Sequence, residues 1–414
     1  MITMKLKYVC PFCFEEHAIG DVEFACDSRM ICAQRDPSGK IVGVPGAGEP
    51  DKKMQEYKHL SQAPLGPHHF RAHKTPKFSM PDSAVCDWCR QVSRTRVCPS
   101  CHNTLPSTID NDEAMIISLI GTRGSGKSTY VGVLIHEMMK HLFSSFHGTF
   151  QLYGSEDQRE YRTRFEDYLY KGQPIPQTTT HMVSGTMTEN RPILGMLKMQ
   201  SSGFFGKVKP KMLVFFDSAG EDWTSQDTIN VVAKYVAKSS GIVFLIDPLA
   251  NENVRRAIND DASIRASISA DYERDSDPRE VINRVANLIR QQNGLKESQK
   301  ITIPVAAAFS KLDVLEDKDL LAPGGALSQP SPHVQRGMFD EVDADSVNQE
   351  VRTMLKRWDY GNFVDTLDMN YTTNHCFAFS AYGREPASDG TIAPPIPKRI
   401  EDAMFWLLHL NKVL

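Results

Sequence analysis

Past residue 101 the sequence has a single cysteine, Cys376, and nowhere in its 414 residues does it carry an apolar run long enough to cross a bilayer. The longest runs, near Met115 to Gly121 and Gly241 to Asp247, fall far short of the roughly 20 residues a spanning helix needs. An excess of charge of one sign is missing too. The 47 Lys and Arg stand against 51 Asp and Glu, a formal net charge of −4, so no global attraction to nucleic acid is expected and any basic surface must be local. The first residues reach Cys10 without the apolar stretch of a secretory signal, and the expected location is the cytoplasm, with no membrane partner. With 41% hydrophobic and 24% charged residues, the composition suits two or three globular domains and excludes disorder as the dominant state.

What is present is unevenly placed. Eight of the nine cysteines, Cys10, Cys13, Cys26, Cys32, Cys86, Cys89, Cys98 and Cys101, lie in the first 101 residues. Three of the four pairs are C-x2-C knuckles, a turn that aims two thiolates at one tetrahedral ion; Cys26 and Cys32 form a looser pair. Eight thiolates suit two structural Zn²⁺ ions, which would hold together a Pro- and Gly-rich stretch with little core of its own. With the pairs kept intact there are three ways to join them. Shortest loop closure favours Cys10, Cys13, Cys26 and Cys32 at one ion and Cys86, Cys89, Cys98 and Cys101 at the other; a cross-braced arrangement competes. His17 and His102, beside knuckles, are read as bystanders. Arg90, Arg94 and Arg96 could contact nucleic-acid phosphates or a partner protein, although such a run is more often a solvated face. Residues 36–82, rich in proline and glycine, read as an irregular excursion within a zinc-binding module of residues 1–110.

Residues 115–120 read as a buried strand, and residues 130–139 as a helix. Between them stand Gly121, Thr122, Arg123, Gly124, Ser125, Gly126, Lys127, Ser128 and Thr129, a G-x-x-x-x-G-K-S loop in the context it requires. The glycines let the backbone turn its N–H groups toward phosphates, Lys127 meets the β and γ oxygens, and the Ser128 hydroxyl binds Mg²⁺. A strand at 211–216 ends in Asp217-Ser218-Ala219-Gly220, where Asp217 is placed to hold Mg²⁺ and the Gly220 amide to sense a γ-phosphate. A strand at 241–246 ends in Asp247, read as a turn residue. A strand at 302–309 leads into Ser310-Lys311-Leu312-Asp313. The Asp313 carboxylate there can accept two hydrogen bonds from guanine, and the Lys311 stem can cover the ring. A last strand at 375–379 ends in Ser380-Ala381, whose amide could contact the guanine carbonyl.

These four motifs, in this order, resemble those of the TRAFAC-class P-loop GTPases over roughly residues 112–414. With the cysteine knuckles and the stretch from Arg96 to Asn103 ahead of the P-loop, the chain is similar more narrowly to bacterial double-GTPase proteins, a family associated with multi-gene conflict and antiviral systems. The resemblance implies a mixed, mostly parallel α/β sheet flanked by helices over residues 111–414, with insertions at 142–190, 248–300 and 314–374. It implies GTP and GDP as ligands, Mg²⁺ and protein partners; the charge of Glu221, which would repel the γ-phosphate at close range, points to slow hydrolysis without an activator. Lys127, Gly220 and Glu221 are then the catalytic candidates, Glu221 standing where many members carry a water-positioning glutamine or histidine. Among Thr178, Thr179 and Thr180, Thr179 is chosen as the switch ligand of Mg²⁺. Arg123 could stabilise charge in cis or be a solvated loop residue. Ser310 stands where Asn or Thr is usual, which loosens a loop-bracing hydrogen bond. Two other readings stay open: a P-loop ATPase, and a nucleotide-stabilised scaffold with little turnover. Helical patterns at 278–292, 347–367 and 397–410 complete the expectation.

Overall fold

The computed structural model describes residues 7–28, 32–36, 38–42, 48–73, 76, 79–109, 114–122, 124–172, 191–200, 208–217, 226–257, 277–383 and 393–414. The chain divides into two compact units, Met1–Ala114 with Thr180–Pro192 and Met115–Thr179 with Ile193–Leu414. Among the described residues no helix is long and apolar enough to cross a membrane.

The first unit is built from strands of two or three residues. Lys7–Val9 pairs with Glu16–Ala18, and Ala84–Val85 with Val92–Ser93, each hairpin closing around one C-x2-C knuckle. Glu23–Ala25 lies between His69–Arg71 and Thr95–Val97, antiparallel to both, so the beginning of the module is laid against its end. The 36–82 excursion is not irregular throughout. Asp51 caps the helix Lys52–Lys58 by accepting the Met54 amide at 2.9 Å, and His69–Arg71 returns the chain to the small sheet.

The second unit carries seven strands: β1 Met115–Gly121, β2 Gly148–Leu152, β3 Ile193–Gln200, β4 Val208–Asp217, β5 Gly241–Ile246, β6 Val305–Phe309 and β7 Asn374–Ala378. Their order is β2-β3-β4-β1-β5-β6-β7. From β4 to β7 all neighbours run parallel, while β2 and β3 are antiparallel additions at one edge. β1, β5 and β6 are buried along their whole length, as continuous apolar runs must be when both faces of a parallel sheet are covered. Edge strand β2 instead alternates exposed and buried residues. Helices α1 Lys127–Glu137, α2 Gly154–Tyr161, α3 Gln226–Ala237, α4 Pro278–Asn293, α5 Leu312–Asp317, α6 Glu341–Arg357, α7 Gly361–Asn370 and α8 Asp402–Leu410 surround the sheet. This is the mostly parallel, helix-flanked sheet expected from the sequence.

Three expectations are corrected in detail. The 142–190 segment returns β2 to the sheet before it leaves again. The helix expected at 347–367 is two helices, broken where the Trp358 and Tyr360 amides close α6 onto the Met354 and Leu355 carbonyls. The final helix begins at Asp402 rather than near 397, because Lys398 pairs with Ser380 as an isolated bridge and Arg399 takes a left-handed φ of 53°.

Candidate functional site

The carboxyl ends of β1, β4, β5, β6 and β7 carry the described motif residues to one edge of the sheet. β1 passes into the P-loop with the Thr122 amide donating to the Leu245 carbonyl of β5 at 3.0 Å. Gly121 has no room for a side chain: a Cβ there would lie 2.4 Å from the Leu245 oxygen. Gly124 and Gly126 take left-handed φ values of 71° and 76°, which glycine adopts without strain. Gly126 caps α1, so the exposed Ser128 and the half-buried Lys127 and Thr129 occupy its first turn, where free backbone amides and the helix dipole favour anions. Lys127 Nζ lies 3.5 Å from the Thr122 carbonyl oxygen, folded back over the loop. Ser125 is buried within it.

Asp217 closes β4 in register with Leu119 of β1. The ends of these strands are clamped by Tyr235 of α3, whose hydroxyl donates to the nearer Ile117 carbonyl of β1, lies 3.0 Å from the Phe216 carbonyl of β4 and accepts the Leu119 amide at 3.2 Å. Arg123, Thr179, Gly220 and Glu221 lie outside the described residues.

At the other end of the edge, Lys311 adopts a left-handed φ of 58° and caps α5, which sets half-buried Asp313 in the first turn. Lys311 Nζ meets Asp247 Oδ2 at 2.6 Å, and Asp247 is 1% exposed. Asp247 is therefore more than the turn residue read from the sequence. Its carboxylate also accepts the Leu249 amide, as a turn residue would, while its own amide donates to the Thr122 hydroxyl at 3.2 Å. It thus links the P-loop to the Ser310–Asp313 motif, a role that spacing along the chain could not show. The buried Ser310 hydroxyl donates to the Ile246 carbonyl at 3.2 Å, bracing its loop to β5.

Ser380 and Ala381 follow β7. The Ser380 amide donates to the Lys398 carbonyl at 3.0 Å, so the pair has Ala381 as the amide that no backbone carbonyl takes among the described residues. Tyr382, one residue on, reaches the side chain of Thr129, and Phe379 packs its ring 4.7 Å from that of Tyr130. The Ser380 loop is thereby held to the P-loop helix.

In the first unit the thiols gather as Cys10, Cys13, Cys98 and Cys101, and as Cys26, Cys32, Cys86 and Cys89. This corrects the pairing expected from loop closure, and the arrangement is nested rather than cross-braced. The cause is the pairing of Glu23–Ala25 with Thr95–Val97, which brings the first knuckle to the last and leaves the second pair facing the third. Sulfur separations of 3.8 Å (Cys10 to Cys101), 3.7 Å (Cys13 to Cys98), 3.6 Å (Cys26 to Cys89) and 3.8 Å (Cys32 to Cys86) are far too long for disulfides. They match the roughly 3.8 Å edge of a tetrahedron with Zn–S bonds of about 2.3 Å, so the donor set fits zinc. The backbone amides of Phe12 and Ser100 and the side-chain amide of Asn103 donate to sulfurs of the first group, as they would to thiolates. His17 Nε2 lies 3.4 Å from Cys98 Sγ and supports that sulfur from outside the four. His102 turns instead to Asp51 and Glu23.

Among known proteins, the chain is similar over 349 residues, at 26% identity, to "Putative ESX-1 scaffolding and assembly protein SaeC" of Mycolicibacterium smegmatis, a match covering 81% of this chain and 85% of the relative. Two solved structures resemble it more distantly. One is the S. cerevisiae Ski7 GTPase-like domain bound to GTP, with TM-score 0.32, 14% identity and 74% of this chain covered; the chain spans 52% of that structure's length. The other is the GDP-bound signal recognition particle receptor SRb of Chaetomium thermophilum, with TM-score 0.24, 10% identity, and coverage of 67% of this chain and 95% of that one. The sequence profile described as Double-GTPase 2 matches residues 115–358, more than half of the chain. The chain belongs to the Double-GTPase 2 family.

Proposed function

We propose that the chain is a GTP-dependent switch that hydrolyses GTP slowly to GDP and phosphate and acts on the assembly of a multi-protein complex. The observation that carries this reading is the convergence on one sheet edge of the P-loop turn after β1, the end of β4, the Ser310–Asp313 motif after β6 and the Ser380–Ala381 loop after β7. In this reading Lys127 and the P-loop amides from Gly121 to Thr129 hold the phosphates, Ser128, Asp217 and Thr179 organise Mg²⁺, and Gly220 senses the γ-phosphate. Glu221 orients or polarises the attacking water, Asp313 reads guanine N1 and N2, and the Ala381 amide meets its carbonyl. Lys311, held by Asp247, presents its stem to the base. The eight cysteines hold two Zn²⁺ ions and stiffen the first unit.

The name of the mycobacterial relative speaks of scaffolding and assembly, which supports protein partners and favours, as a second reading, a scaffold that binds nucleotide with little turnover. No comparison speaks for nucleic acid or for the defence setting that the resemblance implied. Affinity and turnover measured side by side for GTP and ATP, with Mg²⁺, on the wild-type protein and Lys127→Ala test the reading. Lys127-dependent GTP binding at least tenfold tighter than ATP binding is expected. Asp313→Asn should move preference toward xanthine nucleotide. ATP preference sinks the switch, and tight GTP binding without turnover, even with partners added, selects the scaffold.

A further inference from the structure

Within the first unit, apart from the eight thiols, three ligating side chains from distant segments converge. Asp51 caps the helix Lys52–Lys58, His69 opens the strand His69–Arg71, and His102 follows the last knuckle. One ligand atom from each lies within 4.8 Å of the others. Asp51 Oδ1 is 2.8 Å from His102 Nδ1, Asp51 Oδ2 is 3.9 Å from His69 Nδ1, and the two imidazole centroids are 3.9 Å apart. The three side chains are 5%, 13% and 9% exposed, so water screens them little.

A carboxylate removed from water needs a compensating positive charge. Asp51 meets the Met54 amide and the two histidines, and among the described residues no lysine or arginine pairs with it. His102 Nε2 lies 3.0 Å from Glu23 Oε2, while Lys53 at 3.0 Å and Arg71 at 3.2 Å already balance Glu23. A carboxylate on the far nitrogen is how metal-binding histidines are commonly oriented, leaving the near nitrogen as a lone pair. With the Nε2 proton on Glu23, the Nδ1 lone pair faces the Asp51 oxygen at 2.8 Å, and either a second proton or a metal ion between them makes that contact favourable. A proton can join His102 to Asp51, but 3.9 Å from Asp51 to His69 exceeds any hydrogen bond. A tetrahedral ion with bonds of about 2.0–2.1 Å sets its ligands roughly 3.3 Å apart, between the two separations observed.

We propose that Asp51, His69 and His102 hold a third divalent metal ion of the zinc type, water completing its shell, with Glu23 positioning His102. The ion fastens the 36–82 excursion to the end of the last knuckle.

The test uses the full chain, stripped of metal and titrated with Co²⁺. Thiolate-to-cobalt charge-transfer bands report the cysteine groups, and elemental analysis counts every ion. His69→Ala is expected to bind one Co²⁺ fewer than wild type with unchanged thiolate bands. Glu23→Gln is expected to weaken that same ion 10- to 100-fold. Because the count is a difference between variants, absent thiolate bands in the wild type would sink the cysteine assignment without touching this one. Equal cobalt content in wild type and His69→Ala overturns the proposal. If His69→Ala loses the thiolate bands through misfolding, Glu23→Gln decides: unchanged cobalt affinity overturns the third site.

Discussion

The two units are built on opposite principles. In the first, strands are two or three residues long, and Cys10, Cys26, Cys32, Cys86, Cys98 and Cys101 are themselves among its buried residues. In the second, β5 and β6 run through the interior with every residue buried, and aromatic side chains such as Phe244, Phe309 and Phe377 fill the layers on either side. In the proposed reading the first is held where the thiols meet a metal ion; the second is held where apolar surface leaves water. A fold held at points fails when a point is removed. A fold held by area fails in proportion to the area lost.

Metal removal should separate the units most sharply. Structural zinc contributes apparent folding energies of about 10–16 kcal/mol in small zinc-dependent domains, more than a thin module supplies by burial. Chelation, or Cys98→Ser, is expected to make the first unit sensitive to limited proteolysis while the sheet unit stays protected. Simultaneous cleavage of both units would show that they do not owe their stability to different sources.

The converse is a core deletion. Phe244 is fully buried in β5, its ring stacked 5.7 Å from Phe363 of α7. Phe244→Ala should destabilise the sheet unit by about 3–5 kcal/mol in denaturant unfolding, through lost transfer energy and the cavity left behind. Cobalt thiolate bands from the first unit should be unchanged.

The same contrast decides what could be read from the sequence. Buried parallel strands announce themselves as apolar runs, and the P-loop by its glycines and Lys127, so β1, β5 and β6 and the motif order were legible. The edge strand β2 was not, because it alternates and is short, and its place depends on pairing with a strand some forty residues away. Cysteine spacing revealed which residues could bind metal but not which partner each pair would take. That choice belongs to the register of Glu23–Ala25 with Thr95–Val97, a long-range pairing with no local signature. Asp247 was missed for the same reason: its partners Thr122 and Lys311 arrive from two other strands.

A buried polar cluster in the sheet unit gives an effect that depends on pH. Arg399 joins Asp343 and Asp402 at 2.9 and 2.7 Å, with His333 3.8 Å from Asp402 and Ser331 beside Glu401 and Asp402. Burial, then the charge of Asp402, push Glu401 up to about 7. A carboxyl raised on folding stabilises fully below its unfolded value, and that stability is lost as pH rises through the folded one. Between pH 4.5 and 7 the loss is on the order of 3 kcal/mol. His333, lowered by burial, works in the opposite direction, destabilising the fold as pH falls toward and below its unfolded value. Asp402, raised by burial as well, acts in the same direction as Glu401, so the difference between wild type and Glu401→Gln reports the glutamate together with its coupling to Asp402. Unfolding midpoints measured from pH 5 to 8 should fall less steeply in the variant, and parallel curves would remove Glu401 from the account.

The smallest effect belongs to the first unit's surface. Lys7 and Glu16 meet at 2.7 Å across the hairpin that carries Cys10 and Cys13, with side chains 69% and 37% exposed. Their geometry is good, yet water screens both charges, and holding two long side chains in one rotamer offsets most of the attraction. Lys7→Ala should shift stability by less than about 0.5 kcal/mol. In the proposed reading the hairpin is fixed by the metal on its two thiols, and Cys10 also accepts the Phe12 amide, ordering the turn from within. A loss above about 1 kcal/mol, read from the midpoint at which the thiolate bands disappear in denaturant, would mean that this edge is held by charge as well as by metal, and that the first unit is less purely a fold of points than its cysteines suggest.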